Sequence, residues 1–220
     1  MNSPAEEGRV LLIDKPYDWT SFDVVNKLRR ILKTKKIGHA GTLDPLATGL
    51  LIICTGKKTK QIESFMGLEK EYTGSFVIGQ TTASYDLETE PTPVVDYSHL
   101  TEQHIQDAAR QLTGVINQVP PLHSAIKIGG QRAYTLARQG KDAELKSREV
   151  EIKEFEITSI ELPVVRFRIV CSKGTYIRSM ARDFGNILQV GAYLRELCRT
   201  RIGDFSLAEA TSIEKLAEQA

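Results

Sequence analysis

The period of the apolar residues changes several times along this chain and never settles into a repeated unit. From Ser21 to Leu32 the spacing is helical: Phe22, Val25, Leu28, Ile31 and Leu32 form one stripe, the other face is basic, and Thr20 or Ser21 stands where a cap belongs. Leu50 to Cys54 is a short continuous apolar run, as a strand covered on both faces would show. Tyr72 to Ile78 predicts a second strand. Thr101 to Leu112 returns to helical spacing, with Ile105, Ala108, Ala109 and Leu112 on one face before Gly114. Val150 to Ile160 alternates with a slip near Glu154, the signature of a bulge, and Val165, Phe167, Ile169 and Cys171 alternate with Arg166 and Arg168 facing outward. Thr175 to Leu188 is the strongest helix, since Ile177, Met180, Ala181, Phe184, Ile187 and Leu188 share one face. Thr211 and Glu214 fit a capping box opening a short final helix.

Irregular succession of strands and helices favours an α+β fold, a mixed or antiparallel sheet flanked by helices, over a doubly wound one. Neither an internal repeat nor a linker is visible, so residues 1–220 read as a single domain. Pro91 and Pro93, with the acids around them, mark a surface excursion.

Composition removes several classes. With 41% hydrophobic and 26% charged residues the chain has globular proportions. No apolar run approaches the roughly 20 residues that a membrane helix needs. The N-terminal MNSPAEEGRV has acids where a secretion signal requires a basic start, so the expected location is the cytoplasm. Cys54, Cys171 and Cys198 are odd in number and widely spaced, which predicts buried thiols rather than disulfides or a zinc knuckle.

The overall charge of +1 hides a sorting by segment. Lys27 to Lys60 carries nine Lys or Arg against Asp44 alone, and Arg166 to Arg201 eight against Asp183 and Glu196. Thr82 to Ala109, between them, has six acids and no Lys or Arg. That pattern suits one positive face for a polyanion, although an ordinary solvated surface would also account for it.

Two segments could carry chemistry. In Gly38 to Gly49 the only acid is Asp44, set between Leu43 and Pro45-Leu46. Apolar company would drive its carboxyl toward the neutral form unless a cation were supplied. An Asp before Pro also initiates turns, so on spacing alone a turn-capping Asp44 and a reactive Asp44 both stand. Gly56-Lys57-Lys58-Thr59 follows a strand but lacks the spacing of a phosphate-binding loop, which leaves its lysines as phosphate contacts or solvated charge. The second segment, Cys171 to Arg178, turns from a strand end into the strong helix and places Arg178 in the first turn, against the macrodipole, with Arg182 one turn on. An exposed arginine with no special role remains open here. Tyr72 and Tyr176 offer rings on which a base could stack, or simply core packing. His39 and His123 have no partner at metal-ligand spacing, so no metal is expected.

Four strings, GHAGTLDPLATGLLIICTGKKTK, KEYTGSFVIGQTTASYD, VPPLHSAIKIGGQRAYTLARQG and CSKGTYIRSMARDFG, together resemble the bacterial TruB family of tRNA pseudouridine synthases, and the resemblance runs from about Val10 to Arg201. It implies that Asp44 is the catalytic aspartate. It implies that Tyr72 stacks on the target base and helps remove its C5 proton, and that Arg178 pairs with the aspartate. His39 resembles the histidine filling the space left by the flipped nucleotide, and Leu194 an apolar residue packed under the base. Asp86 falls where an acid positions this machinery, and Lys173 and Tyr176 belong to the site wall. The implied reaction isomerises the T-loop uridine, position 55 in tRNA numbering, with no metal or cofactor and with the tRNA T arm as partner. A monomer is expected, without a membrane or a protein partner. Many members continue into an RNA-binding domain of the PUA type, whereas residues 202–220 hold one short helix, so the basic stretches are expected to supply the grip on RNA. Two rivals stand beside this reading. A non-catalytic RNA-binding or tRNA-folding protein would not need Asp44, Tyr72 and Arg178 together, and a base-releasing glycosidase would want a second acid near Asp44.

Overall fold

The computed structural model of the chain describes residues 7–122, 127–128, 131–132 and 145–218. Its strands are β1 (Val10–Lys15), β2 (Ile37–His39), β3 (Thr48–Thr55), β4 (Lys70–Ile78), β5 (Gly114–Gln118), β6 (Lys127–Ile128), β7 (Gln131–Arg132), β8 (Arg148–Glu161), β9 (Val164–Cys171), β10 (Ala192–Ile202) and β11 (Phe205–Ser206). Its α-helices are α1 (Ser21–Ile31), α2 (Ile62–Gly67), α3 (Glu102–Gln111), α4 (Ile177–Ile187) and α5 (Ile213–Glu218). His123 and most of the third resembling string lie outside the described residues. No helix among the described residues is long and apolar enough to cross a membrane.

The chain divides into two compact units, one made of the residues up to Thr73 and those from Glu196 on, the other of Gly74–Arg195. In the first unit β1 runs antiparallel to β3 and β10 parallel to it, while β2 adds to β3 and β11 to β10. The apolar run of β3 has a direct structural meaning. Leu51 and Ile53 join Ile13, Val24, Val25, Leu28 and Ile213 on one side, and Leu50, Ile52 and Cys54 join Ala40 and Ile202 on the other. A strand covered on both faces cannot alternate with polar residues. Gly49 and Arg199, in register across β3 and β10, lie at the end of β3 where the Gly38–Gly49 segment arrives.

In the second unit the strand order is β4-β9-β8-β5, with β8 antiparallel to both β9 and β5. The slip near Glu154 is a register shift between Ile152 and Glu154, and a second lies between Ile157 and Ser159. The core centres on aromatic rings: Phe76 stands 4.3 Å from Phe167 and 5.4 Å from Phe184, centroid to centroid. Phe184 belongs to α4, whose apolar face closes that core. Parallel and antiparallel pairings with helices alongside make the fold α+β with a mixed sheet.

Local expectations fail where tertiary contacts decide. Phe22 is 60% exposed, because α1 buries Ser21, Val24, Val25 and Leu28 instead, while Ile31 and the C-cap Leu32 pack against the same core as the spacing predicts. Thr20 is the cap of α1, in a reciprocal box with Asp23. At α5 the hydroxyl accepting from Lys215 N is that of Ser212, at 3.2 Å, while the Thr211 hydroxyl is buried without a partner, so the cap is shifted by one residue. The Gly38–Gly49 stretch begins in β2, which pairs with β3 up to His39, and ends inside β3. Cys54 and Cys171 are buried thiols, whereas Cys198 is half-buried.

Candidate active site

Asp44 lies on the loop between β2 and β3, and the loop's backbone oxygens explain why it holds one shape. Gly41 O accepts from Arg199 Nη2 at 3.2 Å and Thr42 O from Arg199 Nη1 at 3.4 Å. Leu43 O accepts from the Ser21 hydroxyl at 3.2 Å, and the same hydroxyl accepts from Leu43 N at 2.9 Å. Asp44 O closes a turn with Ala47 N at 3.1 Å. Pro45 O accepts from Asp18 N at 3.0 Å and from Lys15 Nζ at 3.1 Å. Five successive carbonyls are thus occupied, and the half-buried carboxylate of Asp44 is carried on a backbone fixed on both sides. Asp44 does form a turn, and the same turn presents it.

Lys15 is 0% exposed, and its ammonium also donates to Trp19 O and Pro16 O. Burial brings its pKa down to about 8 from 10.5, against the pull of Asp44 and with a further push from Arg199. His39, at the end of β2, is half-buried with Nδ1 enclosed and unpartnered, and burial lowers its pKa, which keeps the ring neutral near pH 7. Tyr72 is buried on β4.

The second unit assembles another cluster. Arg178, in the first turn of α4, is 3% exposed, which removes the reading of an ordinary surface arginine. Its Nε faces Asp86 Oδ2 at 3.5 Å and its Nη1 donates to Ser84 O at 3.3 Å. Asp86 is 4% exposed; its Oδ1 accepts from Glu88 N, and its carbonyl accepts from the hydroxyls of Thr82 and Ser84 at 2.6 Å and 3.2 Å. Leu194 is buried here too: it bridges to Asp86, and its N–H donates to Tyr85 O at 2.9 Å. Tyr85 takes φ +63°, and the Arg182 guanidinium lies 5.3 Å from its ring centre. The structure therefore brings Asp86, Arg178 and Leu194 together.

Tyr176 is the residue before α4. Its N–H donates to Gln118 Oε1 at 2.8 Å, its carbonyl accepts from Gln118 Nε2 at 3.1 Å, and the Arg148 guanidinium stacks 4.7 Å from its ring centre. Arg148 also donates to Gly174 O, which ties the turn carrying exposed Lys173 to the start of β8. Among the described residues no group of three or more His, Cys, Asp or Glu is placed to hold a metal ion.

Sequence reasoning missed Lys15, Ser21 and Arg199, which bind the backbone of the Asp44 loop, and Gln118 and Arg148, which contact Tyr176. Two residues apart on β10, Arg199 and Arg201 look alike in the sequence; the structure buries the first and pairs the second with Glu69 at 2.8 Å. The basic stretch Arg166 to Arg201 is correspondingly less of a positive face than its count suggests. Arg178 and Arg199 are interior, Arg168 meets Glu154 and Glu156, and Arg182 meets Asp183. Lys27, Arg30, Lys33, Lys35 and Lys36 in the other stretch are exposed.

The fold is that of a pseudouridine synthase: a solved pseudouridylate synthase superposes on 96% of this chain and 74% of its own with a TM-score of 0.51, at 17% identity. A Cbf5-Nop10-Gar1 complex contains a chain that matches 97% of this one with a TM-score of 0.77 and 30% identity, and this chain spans 54% of it. Residues 29–177 match the TruB family pseudouridylate synthase (N terminal domain). The tRNA pseudouridine synthase B of Chloroherpeton thalassium is 53% identical over 100% of this chain and 93% of its own length. The chain belongs to the TruB family of pseudouridylate synthases, which are isomerases.

Proposed function

We propose that this protein converts a uridine of tRNA to pseudouridine, that the target is the T-loop uridine at position 55, and that residues 1–220 act as one catalytic domain, a monomer working in the cytoplasm on the tRNA T arm. The observation that carries the reading is the Asp44 loop, in which an aspartate matched to the family's catalytic one sits on a backbone whose neighbouring carbonyls are all bound. Likeness over the whole chain to a protein named tRNA pseudouridine synthase B supports tRNA as substrate.

The reaction is an isomerisation. The N1–C1′ bond breaks, the uracil turns, C5 bonds to C1′, and the C5 proton leaves while N1 gains one. Asp44 is the ionised group that attacks the ribose or takes a proton from it. Arg178 is the guanidinium that serves it, with its plane set by Asp86 and Ser84. Tyr72 stacks on the base and assists loss of the C5 proton. A base in a folded RNA loop reaches such residues only when flipped out, and His39 takes the vacated space. Lys173 and Tyr176 form the wall. Leu194, held against Asp86, completes the apolar floor. The exposed lysines of the first basic stretch bind phosphates, so affinity should fall with salt at roughly 0.7 to 0.9 log units per log unit of salt for each phosphate neutralised.

Incubation of the protein with an unmodified tRNA transcript, assayed for pseudouridine and for free uracil, tests the reading. Pseudouridine at position 55 is expected. Binding without conversion would favour the RNA-folding protein, and free uracil would favour the glycosidase.

A further inference from the structure

Arg199 is 1% exposed, and three of its contacts go to main-chain oxygens rather than to an acid: Leu50 O from Nε at 2.8 Å, Gly41 O from Nη2 at 3.2 Å and Thr42 O from Nη1 at 3.4 Å. Its own backbone lies against the other end of the same loop. Gly49 takes φ +101°, and a Cβ there would stand 2.4 Å from Arg199 O and 2.8 Å from Arg199 N. Gly41 takes φ +99°, and a Cβ there would lie 3.8 Å from Arg199 Nη1. One residue of β10 thus meets both glycine hinges of the segment that carries Asp44, with its side chain at the first and its main chain at the second.

A buried guanidinium is an expensive way to hold a strand together, since apolar residues of similar volume commonly stabilise a core as well or better. Its advantage is geometric: a planar fork can bind several carbonyl oxygens at fixed angles, which an ammonium on a flexible stem cannot reproduce. We propose that Arg199 is a positioning residue for the reaction at Asp44, acting through the Gly41–Thr42 carbonyls and never touching the RNA. The inference rests on the function proposed above and adds to it the device that sets the attack geometry. Misplacement of a reacting group by about 1 Å can cost on the order of a hundredfold in rate.

The test is Arg199→Lys in the full chain, with Arg201→Lys as a control on the same strand. For Arg199→Lys the expected result is a kcat lowered about 10- to 100-fold, a KM for tRNA within about threefold, and faster amide exchange confined to residues 41–47. Arg201→Lys should match the wild type in all three. A merely structural arginine would lower Tm and the folded fraction while each folded molecule kept its kcat. A kcat within threefold of wild type per folded molecule would overturn the proposal and leave the pseudouridine reading intact. Should Arg199→Lys not fold, Arg199→Gln, neutral but still able to donate to a carbonyl, is measured the same way. Failure of both to fold at any temperature would also overturn it, because the residue would then serve the fold alone. A wild-type protein that forms no pseudouridine sinks the functional reading, and this proposal with it.

Discussion

Two loops present an aspartate, and they are held by different sets of contacts. Around Asp44 the backbone is bound by side chains from elsewhere, Arg199, Lys15 and Ser21, and the carboxylate itself sits half-buried at the surface of that frame. Around Asp86 the loop is bound from within by Thr82 and Ser84 and from outside by Arg178 and the Leu194 N–H, and the carboxylate is itself engaged, one oxygen on Glu88 N and the other facing Arg178. Under the function proposed above, the difference fits two roles: Asp44 reacts and is placed by what binds its loop, whereas Asp86 is buried against the Arg178 that it orients.

That contrast can be broken in order of expected effect. Asp44→Asn should abolish pseudouridine formation, to less than about a hundredth of the wild-type rate, with Tm and RNA affinity nearly unchanged. Asp86→Asn should do the reverse in part: loss of the charge facing buried Arg178 should cost on the order of 3 kcal/mol of stability in denaturant melts, with measurable turnover remaining. Turnover by Asp44→Asn at a tenth of wild type would undo the distinction. Arg178→Lys keeps the charge but not the fork, and single-turnover rates should fall by roughly 2 to 5 kcal/mol of transition-state stabilisation.

Lys15 offers a pH test confined to the Asp44 loop. Its folded pKa of about 8 lies below its ordinary 10.5. Below about pH 8 it is protonated in both states, so stability gains nothing from its proton equilibrium there. Between about 8 and 10.5 the unfolded chain holds a proton that the folded one has released, and linkage then favours the folded state increasingly as pH rises. The Tm of wild type minus that of Lys15→Met should therefore grow over this window. Turnover of the wild type should decline as pH rises through about 8, where folded Lys15 loses its proton and the cation near Asp44 is lost.

Smaller effects come from single hydroxyls. Ser21→Ala removes a donor and an acceptor from Leu43 in a buried place and should cost about 1 to 3 kcal/mol, visible in both Tm and kcat. Thr82→Val removes one donor to Asp86 O, which Ser84 still serves, and should cost at most about 1 kcal/mol with little change in kcat. Equal losses of turnover in the two variants would erase the contrast between the loops.

The exposed lysines complete the comparison at the level of binding. Charge neutralisation of Lys33, Lys35 and Lys36 together should lower the salt slope of RNA affinity and leave kcat at saturating RNA close to wild type. An unchanged slope would assign them to the solvated face of the α1 end.

The sequence by itself determined the elements whose pattern is local. The Leu50–Cys54 run meant a strand covered on both faces, the alternation of Val165 to Cys171 a half-covered one, and the spacing in α4 an amphipathic helix, because each depends on residues a few positions apart. The Gly38–Gly49 segment stood out for a similar reason, as an isolated acid among glycines and apolar residues, but its spacing left a turn-capping and a reactive Asp44 both open, and only the family resemblance chose between them. Tertiary structure alone decided which side of α1 is inside, leaving Phe22 out, and which charges are surface. Arg178 and Arg199 read as cations of a basic stretch, and Lys15 stands outside both stretches, until long-range packing buries them against Ser84 and Asp86, against Gly41, Thr42 and Leu50, and, for Lys15, against Trp19 and Pro45. No short-range pattern marks such residues, because partners distant in the chain help to bury each cation: Pro45 O lies 30 positions from Lys15, and Gly41 O lies 158 from Arg199.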